Sequence, residues 1–525
     1  MDDSNSAVAG ALPGTPQVSR SAASRLRLSQ AWAVASVLVP VLVITGTPLV
    51  AIDLAYQVRA GALMLDTHSL LRTDPFTATA AGSPWLNQQW LAQILLATVF
   101  RLGGWLGLAV LRAALAGLVM TFVFMACRAA GASTKRAAWL TLPSGALLPF
   151  DFQVRPQLFA LVCFAATAWL VARRRTRPGG QWLVVPITVL WANMHGTFFL
   201  APLLLGLAWI EDRWSRGHAA PTALLAGVGS VLATMVNPYG PRVWSYVAGL
   251  ANHPVIRGMV QEWKPPTIGS YTGAVFFLSL VAAAVLLIAR VRRPVPWVSL
   301  LPLAVFLSIA LAAIRGVYWW AIAVPTVLAR VLQDRPARSE QLDPASALNA
   351  AIVGLLTMGI VAMLIPWLPY TGRSMPTERQ LVFAPMGITR ELHGILTPGQ
   401  VLFNAQIWGS WLEFEFPRNP VIVDSRIEVV PTSVWSNYNA VSRGSEGWQA
   451  ILDSWHVDVA VLARDQQHYL IPRMKADPGW RLVYEDAEGL IFARDGRYSC
   501  TSTDTRPAFA ATRMAATRVP TPSLP

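Results

Sequence analysis

Two kinds of side chain in this sequence could do chemistry in an apolar setting: a carboxylate that accepts a proton, and arginines that hold a phosphate. Asp53 is the leading carboxylate. It follows the first long apolar stretch, in Leu49-Val50-Ala51-Ile52-Asp53-Leu54-Ala55-Tyr56, where a first membrane-spanning helix should emerge from the bilayer. A general base placed there could deprotonate an acceptor while a lipid-borne donor approaches sideways. Arg155, between two apolar runs and followed by Pro156 and Gln157, presents a planar cation suited to bidentate contact with a lipid phosphate, or one that snorkels to the interface. Arg112 lies too deep in its apolar run to be a boundary residue. It needs a carboxylate, a carbonyl cluster or a ligand as partner, and Asp53 or Asp74 could serve.

Further polar groups punctuate the apolar runs: Asn193-Met194-His195-Gly196, Asn237-Pro238-Tyr239-Gly240, Glu262-Trp263 and Arg315-Gly316-Val317-Tyr318. Each has a structural reading beside the functional one. Asn237 to Gly240 is also a helix-terminating turn, since Pro lacks an amide donor and restricts the residue before it. Asn193 and His195 are also a cap and a hydrogen-bonded helix-end histidine. Asp74, in Asp74-Pro75-Phe76-Thr77, is also a turn residue. Cys127, Cys163 and Cys500 form neither a disulfide framework nor a metal-spaced cluster.

The elements that must position these groups follow from composition. The chain has 525 residues, 54% of them hydrophobic and only 13% charged. That is far more apolar surface than one soluble core buries, so a polytopic membrane protein is expected. The net charge of +14 does not imply nucleic acid. Its arginines sit in the gaps between apolar runs, as the positive-inside rule distributes them, and not in one basic aromatic patch.

Residues 1–29 read as a disordered cytoplasmic tail carrying Arg20, Arg25 and Arg27. A retained anchor helix follows. A first external loop, 52–90, holds a short amphipathic stretch from Leu54 to Leu65 that should lie along the interface, and a second from Trp90. Later apolar runs fall near 104–127, 137–152, 156–172, 182–195, 197–211, 221–237, 271–289, 296–313, 317–331 and 347–368. This makes about eleven spanning helices in a membrane domain 30–370, several shorter than the ~20 residues a perpendicular span needs. Arg128/Lys135/Arg136, Arg173 to Arg177, Arg213/Arg216, Arg290 to Arg293 and Arg330 to Arg338 occupy alternate connections. Asp53, Arg155, His195, Asn237, Glu262 and Arg315 then share the opposite side.

Residues 371–497 change character, alternating strand-like runs (399–403, 420–423, 457–462, 490–493) with helical stretches, as a small extracytoplasmic α/β domain would. Within it Trp408, Asp424 and Arg426 could recognise an acceptor, or be a buried Trp and an Asp/Arg pair holding a turn. Residues 498–525 read as a disordered tail.

The order Asp53, Asp74-Pro75, Trp90-Leu91, Gly103-Gly104, Leu111-Arg112, Arg155-Pro156-Gln157, Trp191 to Gly196 and Asn237 to Gly240 resembles the GT-C class of integral-membrane glycosyltransferases. It is most similar to the bacterial galacturonosyl- and protein-mannosyltransferase-like branch. The resemblance covers roughly residues 30–370. It implies transfer of a hexosyl or uronosyl unit, with inversion, from a polyprenyl-phosphate donor to a lipid, glycan or protein acceptor outside the inner membrane. It also implies Asp53 as general base and Arg112, Arg155 and Gln157 as donor-phosphate contacts, with Asp74, Asn193, His195, Asn237, Tyr239, Glu262 and Arg315 as further site candidates. Relatives often carry two adjacent acids where this chain has Ile52-Asp53-Leu54, which leaves a divalent metal open; no other cofactor is expected. A non-catalytic binder of lipid-linked glycans, or a transporter, is the alternative; a transporter would more often show two similar halves, which are not evident here.

Overall fold

The computed structural model describes residues 25–148, 152–216, 221–290, 295–332, 344–372 and 374–494. Both expected tails fall largely outside these ranges. The anchor helix α1, Leu28–Thr45, ends earlier than its apolar run does. Thr47 and Pro48 break it, and Leu49–Val50 then pairs in parallel with Leu381–Val382 of the C-terminal region. Helix α2, Ala51–Thr67, begins at once, with Asp53 in its first turn. An acid there faces the positive end of the helix dipole.

Helix α3, Trp90–Ala129, joins the expected amphipathic stretch to the next span. The joint is Gly104, whose φ of 56° and ψ of −145° interrupt the helix. A Cβ there would lie 2.5 Å from the Tyr370 carbonyl oxygen, so the missing side chain lets the 365–370 turn cross the break. Helices α4 (Thr134–Leu147), α5 (Pro156–Ala172), α6 (Val184–Ala192), α7 (Leu200–Arg216) and α8 (Pro221–Ala233) follow. The apolar block 182–211 thus breaks at Asn193 to His195, and Asn193 closes α6.

After α8 the chain makes two helices that no apolar run announces, α9 (Arg242–Asn252) and α10 (Pro254–Met259). Then come α11 (Tyr271–Arg290), α12 (Trp297–Ala312), α13 (Ile314–Val331) and α14 (Ala347–Leu364). Among the described residues, four helical segments are long and apolar enough to cross a membrane: 28–45, 90–129, 271–290 and 347–370. The shorter helices α5, α8 and α12 are apolar as well. Helix α13 starts earlier than its apolar run, which places Arg315 in its first turn and not in a loop.

The C-terminal region holds helices α15 (Met386–Ile395), α16 (Gln406–Glu415), α17 (Thr432–Ser442), α18 (Trp448–Ser454) and α19 (Leu470–Ala476) around a four-stranded sheet. Its strands are β1 (Val401–Asn404), β2 (Val457–Ala463), β3 (Trp480–Glu485) and β4 (Gly489–Arg494), in the order β1-β2-β4-β3. β1 and β2 are parallel and the remaining pairs antiparallel. Every residue of β2 is buried, as a central strand covered on both faces must be. The run 420–423, expected as a strand, forms only isolated bridges, from Val421 to Thr77 and to Leu402.

This α/β unit is fused to the bundle. Helix α16 packs on α2, and the rings of Trp411 and Phe414 meet Trp105 of α3 at 6.0 and 5.9 Å. Aromatic pairs of this kind contribute about 0.5–1.5 kcal/mol each beyond their buried area. The first external loop completes the joint: the Ala78 amide donates to the Val421 carbonyl at 2.8 Å and the Thr79 hydroxyl to that of Ile422 at 2.6 Å. The expected interfacial helix is therefore roofed by protein, and Leu54, Ala55, Val58 and Ala60 are fully or almost fully buried.

Candidate functional site

The helix starts and the loop-to-domain joint enclose a cavity of about 420 Å³ between the bundle and the α/β unit. Asp53 enters it from α2. Arg155 enters from the residue preceding α5, with Pro156 and Gln157 in that helix's first turn, and Arg315 from the first turn of α13. Three helix N-termini therefore point their amide dipoles and these side chains into one space, a setting that favours an anion.

The charged groups form a chain. The Arg155 guanidinium donates to the Asp53 carboxylate at 3.0 Å and to Glu262 at 3.1 Å, and Arg315 donates to Glu262 at 2.8 Å. Glu262 lies in the short turn Gln261–Trp263, and the Arg315 guanidinium also covers the Trp263 ring, 5.1 Å from its centroid. Burial alone would raise the Glu262 carboxyl, but Arg155 and Arg315 outweigh it and hold the group at about 2. Glu262 is thus held ionised at neutral pH between the two arginines it pairs with. His195 lines the same cavity with its Nδ1 2.9 Å from the Thr197 hydroxyl.

Other sequence candidates stand elsewhere. Arg112 does not line the cavity. It is buried, and its guanidinium donates to the carbonyls of Thr47 at 2.6 Å and Pro48 at 2.9 Å, so its protein partner is the carbonyl cluster between α1 and α2 and not Asp53 or Asp74. Asn193 donates to the carbonyls of Val189 and Val236, both at 2.8 Å, and accepts from the Trp90 indole, which clasps α3, α6 and the turn after α8 together. Asn237 receives the Tyr239 amide at 2.8 Å and donates to the Gly240 carbonyl at 3.2 Å, as a turn residue does. The Tyr239 ring packs under Arg72.

Asp74 caps its own turn and pairs with the Arg426 Nη2 at 2.8 Å, while Asp424 takes the Nε–Nη2 edge of that guanidinium and, among the described residues, Nη1 is buried without a partner. Arg426 also sits over the rings of Trp85 and Phe76, at 4.6 and 4.8 Å. The three charges therefore tie the external loop to the α/β unit, with Arg426 forming part of the cavity wall. Trp408 is buried against Gly489 in the core of the α/β unit.

Several cavity residues escaped the sequence reading. Gln57, Gln88 and Gln89 line one wall, Tyr246 comes from α9, and Glu428 from the loop after Arg426. Only Gln57 carried a signal, standing one helical turn from Asp53 on the same face of α2. The Tyr246 hydroxyl meets Glu428 at 3.3 Å across a separation of 182 residues, which no local pattern shows. Among the described residues, no group of His, Cys, Asp and Glu is arranged to hold a metal ion.

No family model and no curated protein matches the sequence. Solved structures do match. The apo oligosaccharyltransferase of Archaeoglobus fulgidus is 11% identical, with 89% of this chain aligned to 75% of that one at a TM-score of 0.52. ArnT from Cupriavidus metallidurans bound to undecaprenyl phosphate is 14% identical, with 90% of this chain aligned to 98% of that one at a TM-score of 0.51. At these identities the likeness speaks for architecture: a polytopic helical bundle with a C-terminal domain, over nearly the whole chain. The chain shares its overall fold with these two structures.

Proposed function

We propose that the chain is an inverting membrane glycosyltransferase that moves a hexosyl or uronosyl unit from a polyprenyl-phosphate donor to a hydroxyl on an acceptor outside the inner membrane, with Asp53 as general base. The observation that carries this reading is the 3.0 Å contact between Asp53 and Arg155 inside the cavity. A phosphate held by Arg155 lies beside the carboxylate, so the sugar carbon bonded to that phosphate is within reach of an oxygen activated by Asp53.

In the reaction Asp53 takes the acceptor hydroxyl's proton as its oxygen bonds to the anomeric carbon. The bond from that carbon to the phosphate oxygen breaks on the opposite face, and polyprenyl phosphate leaves with the electron pair. One displacement inverts the centre. Arg155, Arg315 and the amide ends of α5 and α13 stabilise the charge growing on the phosphate, and fixed cations of this kind are worth most where water is excluded. A base supplies typically ~10²–10⁴-fold, so positioning and phosphate stabilisation must supply the rest. The GT-C fold and the undecaprenyl phosphate in the ArnT structure support this donor class. The scheme draws its positive charge from the arginines and uses no cofactor beyond the donor.

The test is sugar transfer from a panel of polyprenyl-phosphate sugars by the purified chain in host lipid. Asp53→Asn is expected to lose at least about a hundredfold in turnover while still binding donor lipid, and Arg155→Ala to lose donor affinity. Wild-type turnover in Asp53→Asn moves the base elsewhere. Donor binding without transfer by the wild type, across the acceptor panel, favours a lipid-linked glycan-binding protein.

A further inference from the structure

His195 lines the cavity but has no part in the transfer scheme, and its ring is held in one protonation state by hydrogen bonds whose direction is fixed. It lies in the break between α6 and α7, outside both helices, and caps the turn Gly196–Phe199 by accepting the Thr197 amide on Nδ1 at 3.3 Å. A backbone amide donates and never accepts, so Nδ1 carries a lone pair and no proton. The Thr197 hydroxyl also meets Nδ1, at 2.9 Å, and the buried Trp191 indole donates to that hydroxyl at 3.3 Å. Because an indole N–H has no lone pair to offer, the hydroxyl accepts from Trp191 and aims its own proton at Nδ1.

Burial, and after it the charge of Arg315, push the imidazole pKa down to about 3, so the ring is neutral at physiological pH. A neutral ring with a bare Nδ1 carries its one proton on Nε2. Among the described residues that Nε2 meets no hydrogen-bond acceptor, yet protein does not enclose it either, so it opens on the cavity that the ring lines. What fills the space before it must be an acceptor. Glu262 spends its carboxylate on Arg155 and Arg315, and these same two guanidiniums act on the His195 ring. Two cations beside a neutral donor favour an anionic oxygen there.

We infer that His195 is a further donor-phosphate contact: its Nε2–H donates to a phosphate oxygen of the polyprenyl-phosphate lipid beside Arg155 and Arg315, as a neutral donor that transfers no proton. This rests on the transferase reading and assigns one more residue to it. Trp191 and Thr197 set the tautomer that makes the contact possible. The same tautomer bars His195 from acting as the base, since a nitrogen that already carries a proton takes no second one from the acceptor hydroxyl. Polyprenyl phosphate still leaves with the electron pair, and one more hydrogen bond meets its charge.

The experiment measures binding of bare polyprenyl phosphate and of polyprenyl-phosphate glucose to the full chain in nanodiscs, together with nitrogen-15 spectra of the histidine rings. The amide nitrogen of Gln reaches the place of Nε2, whereas that of Asn stops at the place of Nδ1. His195→Ala and His195→Asn are expected to bind the bare lipid about ten- to a hundredfold more weakly, the scale of a hydrogen bond to a charged group. His195→Gln is expected to stay within severalfold of the wild type. The wild-type ring signal that His195→Gln lacks should show a bare Nδ1 and a protonated Nε2 throughout about pH 5 to 8, the range in which an ordinary histidine titrates. Wild-type binding by His195→Ala or His195→Asn, a His195→Gln that falls as far as His195→Ala, a loss confined to the glucose lipid, or a ring that titrates in that range overturns the contact and leaves the transferase reading in place. A wild type that binds neither lipid overturns that reading, and the contact with it.

Discussion

The two deep arginines look alike in sequence and differ in what their donors touch. Arg155 spends its guanidinium on two carboxylates at a cavity wall, whereas Arg112 spends its own on the backbone carbonyls that join α1 to α2. Arg112→Gln is therefore expected to leave these half-buried carbonyls unmet, at up to about 1–3 kcal/mol each. The readout is a lower unfolding temperature, with donor KM per folded molecule close to wild type. A donor KM raised as far as in Arg155→Ala would put Arg112 back in the phosphate site.

Glu262 makes a pH prediction. Its folded value of about 2 lies below the ordinary 4.5, so its ion pairs contribute stability above that ordinary value and lose it as pH falls from about 4.5 toward 2. Thermal unfolding followed from pH 6 down to pH 3 should show this loss in the wild type and a flatter curve in Glu262→Gln. Equal slopes would mean that Glu262 is not held ionised by Arg155 and Arg315.

At the scale of elements, close backbone approaches fix where the side chains point. Gly61 faces α3 so tightly that a Cβ would stand 2.0 Å from the Gln93 carbonyl oxygen. Gly61→Ala must push α2 off α3. Overpacking of this kind costs about 1–3 kcal/mol, and because α2 carries both Asp53 and Gln57 it should also lower turnover. A variant with wild-type melting and turnover would show that α2 has room to move. The expected spans survive as helices because runs of apolar residues select helices in lipid whatever their partners. The sequence misplaced where they start and stop. Arg315 reads as loop from its charge alone, yet Ala313 is extended and the helix begins before it. Helices α9 and α10 escape the reading of apolar runs because they are short and their apolar residues are interleaved with polar ones.

For the whole molecule, the Asp74–Arg426–Asp424 cluster decides whether there is a closed cavity at all. All three residues are buried, and the cluster joins the external loop to the α/β unit. Removing one partner of a buried ion pair costs about 3–5 kcal/mol, because the charges left behind have no water. Asp74→Ala should thus loosen residues 68–85 together with 424–430. Hydrogen exchange would show faster amide exchange in both segments, and transfer would fall because Arg426 loses its place in the cavity wall. Protection unchanged in both would show that the aromatic contacts between α3 and α16 hold the joint alone. A second ion cluster, Arg174, Arg175 and Arg330 around Glu211 and Asp212, gathers arginines that the charge alternation had placed on one side. Charge counting reached this grouping because it depends on helix order and not on side-chain contacts.

The sequence by itself determined the membrane class, the approximate spans, the break at Asn193 to His195, the α/β character of the last third and the candidacy of Asp53 and Arg155. These follow from local properties: apolar runs, turn residues, and charges at run ends whose burial would be costly. The tertiary structure alone decided which polar residues meet. It separated Arg112 from Arg155, gave Asp74, Asp424 and Arg426 to a joint between segments some 350 residues apart in sequence, and brought Gln57, Tyr246 and Glu428 into one wall. Those choices depend on how helices cross and on what the α/β unit covers, and long-range packing of that kind leaves no periodic trace in a single sequence.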